Sequence, residues 1–464
     1  MIGSPIDRAW RLSATVRPYL APALRHAGWF GFFLILAPVV GPRGYGLFML
    51  AFAAIALIEA LLIETASAAL DRAAVLDEKH WATALVTMMV VGTAVSLVLS
   101  ACASTVGAIV GEDGFGDMFR SLATLPLLGS LTVVPSVALR REGRATTVSA
   151  ANAAGFAAGG GIAVALAWAG AGAWSLVAQI IVGRLVECTV LWAIPGERIG
   201  LAWSRRHFAE LARHIDGRAM AGLWPAVADY APCLVVGATL GPTATGLYML
   251  ASRLGRVLVD IFFTDVVTAP RDAVAHACRV VLPTVLASIL LPIALPPMLD
   301  LRWWGAVLPA QIFTLGALPA AIAFVGTVGG GRATGHWRRQ AAQALGSIAA
   351  IILMAPLGLA PVAATTVGYA SVVAVASLWP SWRRPRAGWR TALVPAVRPC
   401  VGATAAGFAL AALADPIGLA LPAIPALCLL TATGWLLYRL VRGGPIGAAH
   451  PLPPAALTAP MVDG

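Results

Sequence analysis

The sequence predicts an all-α polytopic membrane protein, and three features lead to that fold class. Of its 464 residues, 59% are hydrophobic and only 11% are charged, against about a quarter charged in soluble domains. Apolar runs of about 20 residues recur along the chain, each long enough to cross a hydrocarbon core about 30 Å thick. A ten-residue stretch near the start also recurs in the second half. Barrel strands would be about half as long and would alternate in polarity, so helices are predicted.

The apolar runs predict about fourteen transmembrane helices. Each run satisfies its own backbone hydrogen bonds only as a helix, because lipid offers none. The predicted spans are 24–42, 45–68, 82–108, 117–138, 148–168, 174–194, 219–239, 243–266, 279–298, 304–328, 341–359, 362–380, 396–414 and 417–438.

An internal repeat organises these spans. GPRGYGLFML at 41–50 recurs 200 residues later as GPTATGLYML at 241–250. Each Gly-Pro pair predicts a tight reversal between two helices. Six predicted spans separate the copies, and an even separation gives both halves the same orientation, as in transporters with a cavity between two lobes. The alternative is a chance match between two Ala- and Leu-rich hairpins.

We therefore predict two parallel six-helix lobes around a central cavity, followed by two extra helices. The Pro-rich end lacks periodicity and is predicted to be disordered. The predicted organisation is an N-lobe with helices 1 to 6 (1–194), a cytoplasmic amphipathic linker (195–218), a C-lobe with helices 7 to 12 (219–380), a basic loop with helices 13 and 14 (381–440), and a cytoplasmic tail (441–464). In the linker, Phe208, Leu211 and Ile215 recur at helical spacing, which predicts an interfacial helix.

The arginines predict the orientation. Most of the 32 Lys and Arg residues lie in alternate loops, and the opposite loops hold only Arg43, Arg120 and Arg302. This asymmetry predicts that both termini are cytoplasmic. Basic clusters such as 381–390 then lie beside anionic lipid, and no nucleic-acid partner is predicted. A composition rich in Ala and Arg with a single lysine is typical of a bacterium of high GC content, so we expect the inner membrane.

Basic residues inside the spans are candidate substrate-binding groups, because charge in the hydrocarbon zone is costly. Arg253, Arg256 and Asp260 are three and four residues apart on one face of span eight, and Arg25 begins span one. Arg25, Arg253 and Arg256 are predicted to form a cationic surface suited to a pyrophosphate or an acidic sugar. The alternative is that Arg256 pairs with Asp260 and joins helices, while Arg25 reaches the interface.

Acidic residues inside the spans are candidates for ion coupling. Glu59, Asp229 and Asp260 are the residues predicted for coupling to H⁺ or Na⁺. Arg184 and Glu187, three residues apart, are most simply a pair within one helix. No other cofactor is predicted, and the six cysteines contain no CxxC pair, so neither a disulfide nor a metal is expected.

Several further motifs indicate packing or exclude a function. Gly155 and Gly159 form a GxxxG pair, which favours close helix packing. The run GGGRATGHW lacks the Lys-Ser/Thr of a phosphate-binding loop. No Ser-His-Asp or HExxH arrangement occurs, so no catalytic residue is predicted and a transporter is favoured over an enzyme.

Four stretches, in this order, resemble the Wzx-type polysaccharide flippases of the multidrug/oligosaccharidyl-lipid/polysaccharide exporter superfamily: APVVGPRGYGLFMLAFAAIALIEALL, VPSVALRREGR, GAGAWSLVAQIIVGRLVE and LGPTATGLYMLASRLGR. The resemblance implies alternating access that carries undecaprenyl-diphosphate-linked sugar units for O-antigen or exopolysaccharide synthesis from the cytoplasmic to the periplasmic leaflet. It also implies membrane lipid and the polysaccharide polymerase and export machinery as partners. This chain departs from many members at Thr65, where they have Gly, and at Pro232, where they have an acid.

Two other functions stay open from the sequence. A drug/cation antiporter of the same superfamily would need a net acidic cavity, which the arginines of span eight disfavour. A membrane glycosyltransferase or polymerase would need catalytic residues on a sizeable outer loop, and the predicted outer loops are short.

Overall fold

The computed structural model describes residues 5–73, 75–194, 200–215, 222–263, 299–316 and 336–382, all within one compact unit, Met1–Arg386. Over these ranges the protein is helical and contains no strand. Two short 3-10 helices, Leu301–Ala306 and Ala355–Leu357, accompany the α-helices. The α-helices are α1 (Pro5–Arg72), α2 (Glu78–Val110), α3 (Phe115–Leu122), α4 (Leu125–Arg141), α5 (Ala145–Trp168), α6 (Trp174–Ala193), α7 (Arg205–Ala212), α8 (Leu223–Phe263), α9 (Val307–Leu315), α10 (His336–Met354) and α11 (Leu359–Trp382).

Seven helical segments of the described ranges are long and apolar enough to cross a membrane. The predicted class, an all-α polytopic membrane protein, is confirmed. The predicted spans 279–298, 396–414 and 417–438 lie outside the described residues, as does span 304–328 beyond residue 316. The seven segments are Ile35–Arg72, Glu78–Val110, Phe115–Arg141, Ala145–Trp168, Trp174–Ala193, Leu223–Arg256 and Gln340–Leu357.

Two of these segments are interrupted by a glycine at the repeated motif. Gly41 in α1 has φ 67° and ψ 167°, and Gly241 in α8 has φ 84° and ψ 177°. Glycine adopts this left-handed region readily, whereas a Cβ would clash there. Proline follows each glycine and begins the next helical segment, where its missing N–H costs nothing.

The chain reverses its direction at both glycines. Asp229 and Arg256, on opposite sides of Gly241, form an ion pair, which a straight helix would not allow. Phe32, before Gly41, and Glu59, after it, contact Phe156 and Arg184, respectively, which lie on either side of the same Gly155–Gly183 helix contact. The predicted helical hairpins are therefore present, and we call the end of the bundle that carries both glycines the hairpin end.

The two hairpins make reciprocal backbone contacts. A Cβ on Gly46 would overlap the carbonyl oxygen of Pro242, and a Cβ on Gly246 would overlap the carbonyl oxygen of Pro42. Positions 43–50 and 243–250 also share the same sequence of exposed, intermediate and buried residues. The repeated motif is thus duplicated in conformation, in burial and in contacts, as a local twofold relation requires.

A single hydrophobic core crosses from one repeat to the other at this end. It includes Met49 and Ile55 of α1 together with Met249 and Leu250 of α8, each at most 1% exposed. Trp303, from the 3-10 helix Leu301–Ala306, is also buried in this core. Burial of this kind excludes water and lipid from the contact between the repeats.

The predicted span 117–138 is divided in the structure into α3 and α4. Pro126 stands at the start of α4 and has no N–H to donate to the preceding turn, so the helix is interrupted at residues 123 and 124. Ala123 and Thr124 keep right-handed helical dihedral angles, so α3 and α4 follow each other within one apolar segment, Phe115–Arg141.

Arginines collect at the other end of the bundle, which we call the basic end. There Arg141 donates to the carbonyl oxygens of Leu70 and Ala73 at 2.7 and 2.9 Å, at the end of α1. The predicted linker helix is observed as α7, and its Leu211 is buried against α1, α2 and α4. Phe208 is exposed, and Ile215 lies beyond the end of the helix.

We predict that Gly46→Ala destabilises the protein, because the new methyl group would meet the Pro242 carbonyl oxygen and would lie 2.9 Å from the Gly246 amide nitrogen. Overpacking of this kind costs about 1–3 kcal/mol. Thermal unfolding in detergent micelles checks the prediction. Gly161→Ala in α5 is the matched control, since a Cβ at Gly161 meets nothing within 4 Å. Equal midpoints for the two variants would contradict the packing argument.

Candidate functional site

Two clusters of charged side chains lie within the membrane-spanning helices of the described ranges. The cation cluster consists of Arg253, Arg256 and Asp229, all in α8. The acid–arginine triad consists of Glu59 in α1 with Arg184 and Glu187 in α6. Tyr230 lies within electrostatic range of both, because it interacts with Arg253 and with Glu59.

The cation cluster lies where the two repeats meet. A guanidinium nitrogen of Arg253 is 3.8 Å from the Met49 sulfur of α1. At 1.5 Å per helical residue, Arg253 is about 18 Å from Gly241 along α8, well inside a membrane about 30 Å thick. Arg256 follows one turn later on the same helix face. Two guanidinium groups are therefore held at the interface between the repeats.

Arg256 takes its partner from the other segment of the α8 hairpin. It pairs with Asp229, and the two side chains are 37% and 44% exposed, respectively. The sequence alone is equally compatible with a pairing of Arg256 with Asp260, one turn away in the same segment. Arg25 and Asp260 lie in helical segments whose side chains are outside the described residues.

The net charge of the cation cluster is positive. Two guanidinium groups and one carboxylate sum to one positive charge in these three side chains. Low dielectric strengthens the attraction of such a group for an anion. Aromatic side chains border it, since Tyr230 packs edge-on against Phe52 with ring centroids 5.7 Å apart. The arrangement is suited to holding an anionic group beside an apolar surface.

The acid–arginine triad joins two helices of the first repeat. Arg184 Nη2 is 3.1 Å from Glu59 Oε1, and Arg184 Nη1 donates to Glu187 Oε2 at 3.2 Å. Glu59 is 3% exposed and Glu187 is 8% exposed. The absence of a side chain at Gly129 makes room for Glu59, since a Cβ there would lie 2.5 Å from Glu59 Oε1.

One guanidinium serves two carboxylates in this triad, so the three groups carry one negative charge when all are ionised. An uncompensated charge in the membrane interior is costly, and a bound proton or Na⁺ would neutralise it. The sequence predicted Glu59 as an ion-coupling candidate, but it paired Arg184 with Glu187 alone. The missed signal was that Glu59 has no basic residue within one helical turn, so its partner had to come from another helix.

Close packing of α5 on α6 orients the arginine of the triad. A Cβ at Gly155 would overlap the carbonyl oxygen of Gly183, and one at Gly159 would overlap that of Gln179. The predicted role of the GxxxG pair, close helix contact, is what the structure shows. Gly155 also lies against the Glu187 side chain. Small residues in α5 thus hold α6 near α1, where Arg184 reaches Glu59.

The hairpins and the apolar helices define a polytopic membrane protein with charged groups between its two repeats. A family model described as a polysaccharide biosynthesis protein matches residues 35–271, more than half of the chain. The chain therefore belongs to the polysaccharide biosynthesis protein family. A comparison with curated protein sequences finds no match.

Solved structures of similar fold come from the MOP superfamily and from a lipid flippase. The lipid II flippase MurJ in an inward closed conformation has TM-score 0.63 and 10% identity, covering 91% of this chain and 99% of that chain. An inward-facing multidrug resistance MATE transporter of the MOP superfamily has TM-score 0.60 and 15% identity, covering 77% and 94%. An outward-facing MATE transporter has TM-score 0.51 and 16% identity, covering 82% and 96%. At these identities the likeness shows the fold.

We predict that Arg184→Met destabilises the protein far more than Glu59→Gln does. Loss of the guanidinium leaves two buried carboxylates side by side, at a cost of about 3–5 kcal/mol. Glu59→Gln keeps the Arg184–Glu187 bond and makes the triad neutral, so the loss should stay below about 1.5 kcal/mol. Equilibrium unfolding in mixed micelles measures both values.

The double variant Arg184→Met/Glu59→Gln is the internal control for this prediction. It carries one buried carboxylate where the single Arg184→Met variant carries two, so part of the lost stability should return. Additive effects of the two substitutions would show that Glu59 and Arg184 are not coupled.

Proposed function

We propose that this protein is a lipid-linked oligosaccharide flippase. It translocates undecaprenyl-diphosphate-linked sugar repeat units from the cytoplasmic to the periplasmic leaflet by alternating access, for polysaccharide biosynthesis and export. The observation that carries the proposal is the pair of guanidinium groups, Arg253 and Arg256, held inside the membrane where the repeats meet. Membership of the polysaccharide biosynthesis protein family supports the substrate class.

The chemistry of such a substrate matches the cation cluster. A diphosphate carries negative charge that must enter the membrane interior with its sugars, and guanidinium groups bind phosphate oxygens in a bidentate manner. Arg253 and Arg256 are one turn apart on one helix face, so both can contact a single diphosphate. The prenyl chain then stays in lipid between the lobes while the sugars occupy the central cavity.

The contacts at the hairpin end support one state of the transport cycle. Gly46 and Gly246 are interlocked there, and Arg302 donates to the Pro38 carbonyl oxygen at 2.7 Å. We assign the hairpin end to the periplasmic face and the basic end to the cytoplasm of a bacterial inner membrane, in accordance with the arginine distribution. In this state the protein is closed to the periplasm, and separation of the hairpins opens it.

Ion coupling is assigned to the acid–arginine triad. When H⁺ or Na⁺ neutralises Glu59 or Glu187, Arg184 loses one of its two carboxylate partners, which changes the contact between α1 and α6. Membrane potential acting on a bound charge supplies about 2.3 kcal/mol per elementary charge per 100 mV. The same triad favours the second candidate function, a drug/cation antiporter, because antiporters of this kind need buried acids.

We predict that Arg253→Ala and Arg256→Ala each abolish surface glycan in the organism that makes this protein, with the protein still present in the membrane. Each substitution removes a phosphate ligand at the centre of the proposed path. Surface polysaccharide is measured after the gene is replaced, and protein abundance is measured by immunoblot. Arg120→Ala is the matched control, since Arg120 is exposed near the hairpin end and pairs only with Asp117 among the salt bridges of the described residues.

The outcomes separate the candidate functions. Normal glycan in both variants would overturn the binding role of the cation cluster. Normal glycan in a strain without the gene, together with increased drug sensitivity, would favour the antiporter. Accumulation of lipid-linked intermediates on the cytoplasmic leaflet, with no loss of glycosyltransferase activity, would support translocation over synthesis.

A further inference from the structure

A compact cluster of metal-ligand side chains lies at the basic end, outside both charged clusters. Asp77 precedes α2, His80 lies in its first turn, and His207 lies in α7. One ligand atom from each of the three residues lies within 4.8 Å of the others. The His80 and His207 side chains are 13% and 15% exposed, and Asp77 is 56% exposed. The cluster is therefore half-sheltered and open to solvent on one side.

The three ligand atoms are close enough together for one small divalent ion to contact all of them after the Asp77 and His80 side chains, now at hydrogen-bond distance, move slightly apart. His80 Nδ1 is 2.7 Å from Asp77 Oδ1, and His207 Nε2 is 3.5 Å from Asp77 Oδ2. Zinc binds imidazole nitrogen and carboxylate oxygen at about 2.0–2.2 Å, so neighbouring ligands of a tetrahedral site are about 3.3 Å apart. The two imidazole rings meet edge to face, with centroids 4.5 Å apart.

The far nitrogen of each imidazole already has an acceptor. His80 Nε2 is 3.0 Å from Glu210 Oε2, and His207 Nδ1 is 2.7 Å from Ser204 Oγ. The backbone N–H of Asp77 donates to His80 Nδ1 at 3.3 Å, so in the neutral ring the lone pair is on Nδ1 and the proton is on Nε2, facing Glu210. In known metal sites the non-ligating ring N–H is held by a carboxylate or another oxygen in the same way.

The backbone also orients the Asp77 carboxylate. The backbone N–H of His80 donates to Asp77 Oδ1 at 2.8 Å, which holds the carboxylate beside the imidazole at the start of α2. Glu210 is held in turn by Arg206, whose Nε is 2.9 Å from Glu210 Oε1.

We propose that Asp77, His80 and His207 form a binding site for a divalent transition-metal ion such as Zn²⁺, with Glu210 and Ser204 orienting the two imidazoles. Three protein ligands leave a fourth position, on the exposed side, for water. The ion would join α2 to α7, which lies in the segment between the two repeats. Bound metal would then hold this linker against the first repeat.

The experiment uses the full-length chain in detergent without a polyhistidine tag, after removal of metal by a chelator. Co²⁺ is titrated and followed by its visible absorption, and Zn²⁺ stoichiometry is measured by elemental analysis. We expect one ion per chain in the wild type. His80→Gln and His207→Gln should abolish stoichiometric binding, and Glu210→Gln should weaken it about 10- to 100-fold.

His214→Gln is the matched control, because this linker histidine contacts the Glu210 carbonyl oxygen at 3.0 Å and lies outside the cluster. It should bind metal like the wild type. Zn²⁺ should also raise the thermal midpoint of the wild type and of His214→Gln, but not that of the His80→Gln/His207→Gln double variant. The thermal midpoint of each variant without metal is compared with that of the wild type, so a variant that fails to fold is recognised before metal is added.

Two results would overturn the proposal. One is wild-type protein that binds no more Co²⁺ or Zn²⁺ than the double variant. The other is a thermal midpoint that responds to acidification and not to either metal, which would identify His80 as an imidazolium between Asp77 and Glu210.

Discussion

The structure depends on the backbone contact between two glycines, Gly46 and Gly246, at the hairpin end. Any side chain at either position would enter the main chain of the opposite hairpin. Close approach of backbones maximises van der Waals contact, which holds helices together in lipid because apolar burial gains little there. The common core of α1 and α8 surrounds this contact, and the charged clusters are held at fixed depths along the helices that leave it.

The membrane environment also accounts for where the charged side chains lie. Lipid forces ionisable groups to face protein, so the first repeat encloses an arginine between two acids and the second presents arginines toward the first. Glycines leave room for these buried acids: Gly129 lies against Glu59, and Gly155 lies against Glu187, each from a neighbouring helix. The two clusters carry net charges of opposite sign, so the two repeats share a similar hairpin but differ in the charge that they place inside the membrane.

Local sequence patterns predicted the fold well, but they predicted poorly which charged side chains pair with each other. The repeated Gly-Pro motif predicted both hairpins, because the reversal depends on residues adjacent in the chain. Periodicity could not identify Asp229 as the partner of Arg256, since Asp260 is equally well spaced on the same segment. His80 and His207 are far apart in sequence, so local spacing could not predict that their side chains lie together. Such pairings depend on how helices pack, which hydrophobic spacing leaves undetermined.

The hydrogen bonds that Trp303 and Arg302 make to α1 link the stability of a helix end to the contact between the repeats. The last turn of a helix leaves its carbonyl groups without intrahelical partners, and the segment before Gly41 ends in this way. Trp303 Nε1 donates to the Ala37 oxygen at 3.2 Å and Arg302 to that of Pro38, so the second repeat supplies the C-terminal cap of a helix in the first. If the repeats separate, that helix loses its cap. The hydrogen bond from the charged Arg302 alone contributes about 1.5–3 kcal/mol of stability. Whatever drives the opening must outweigh this loss or let water replace it.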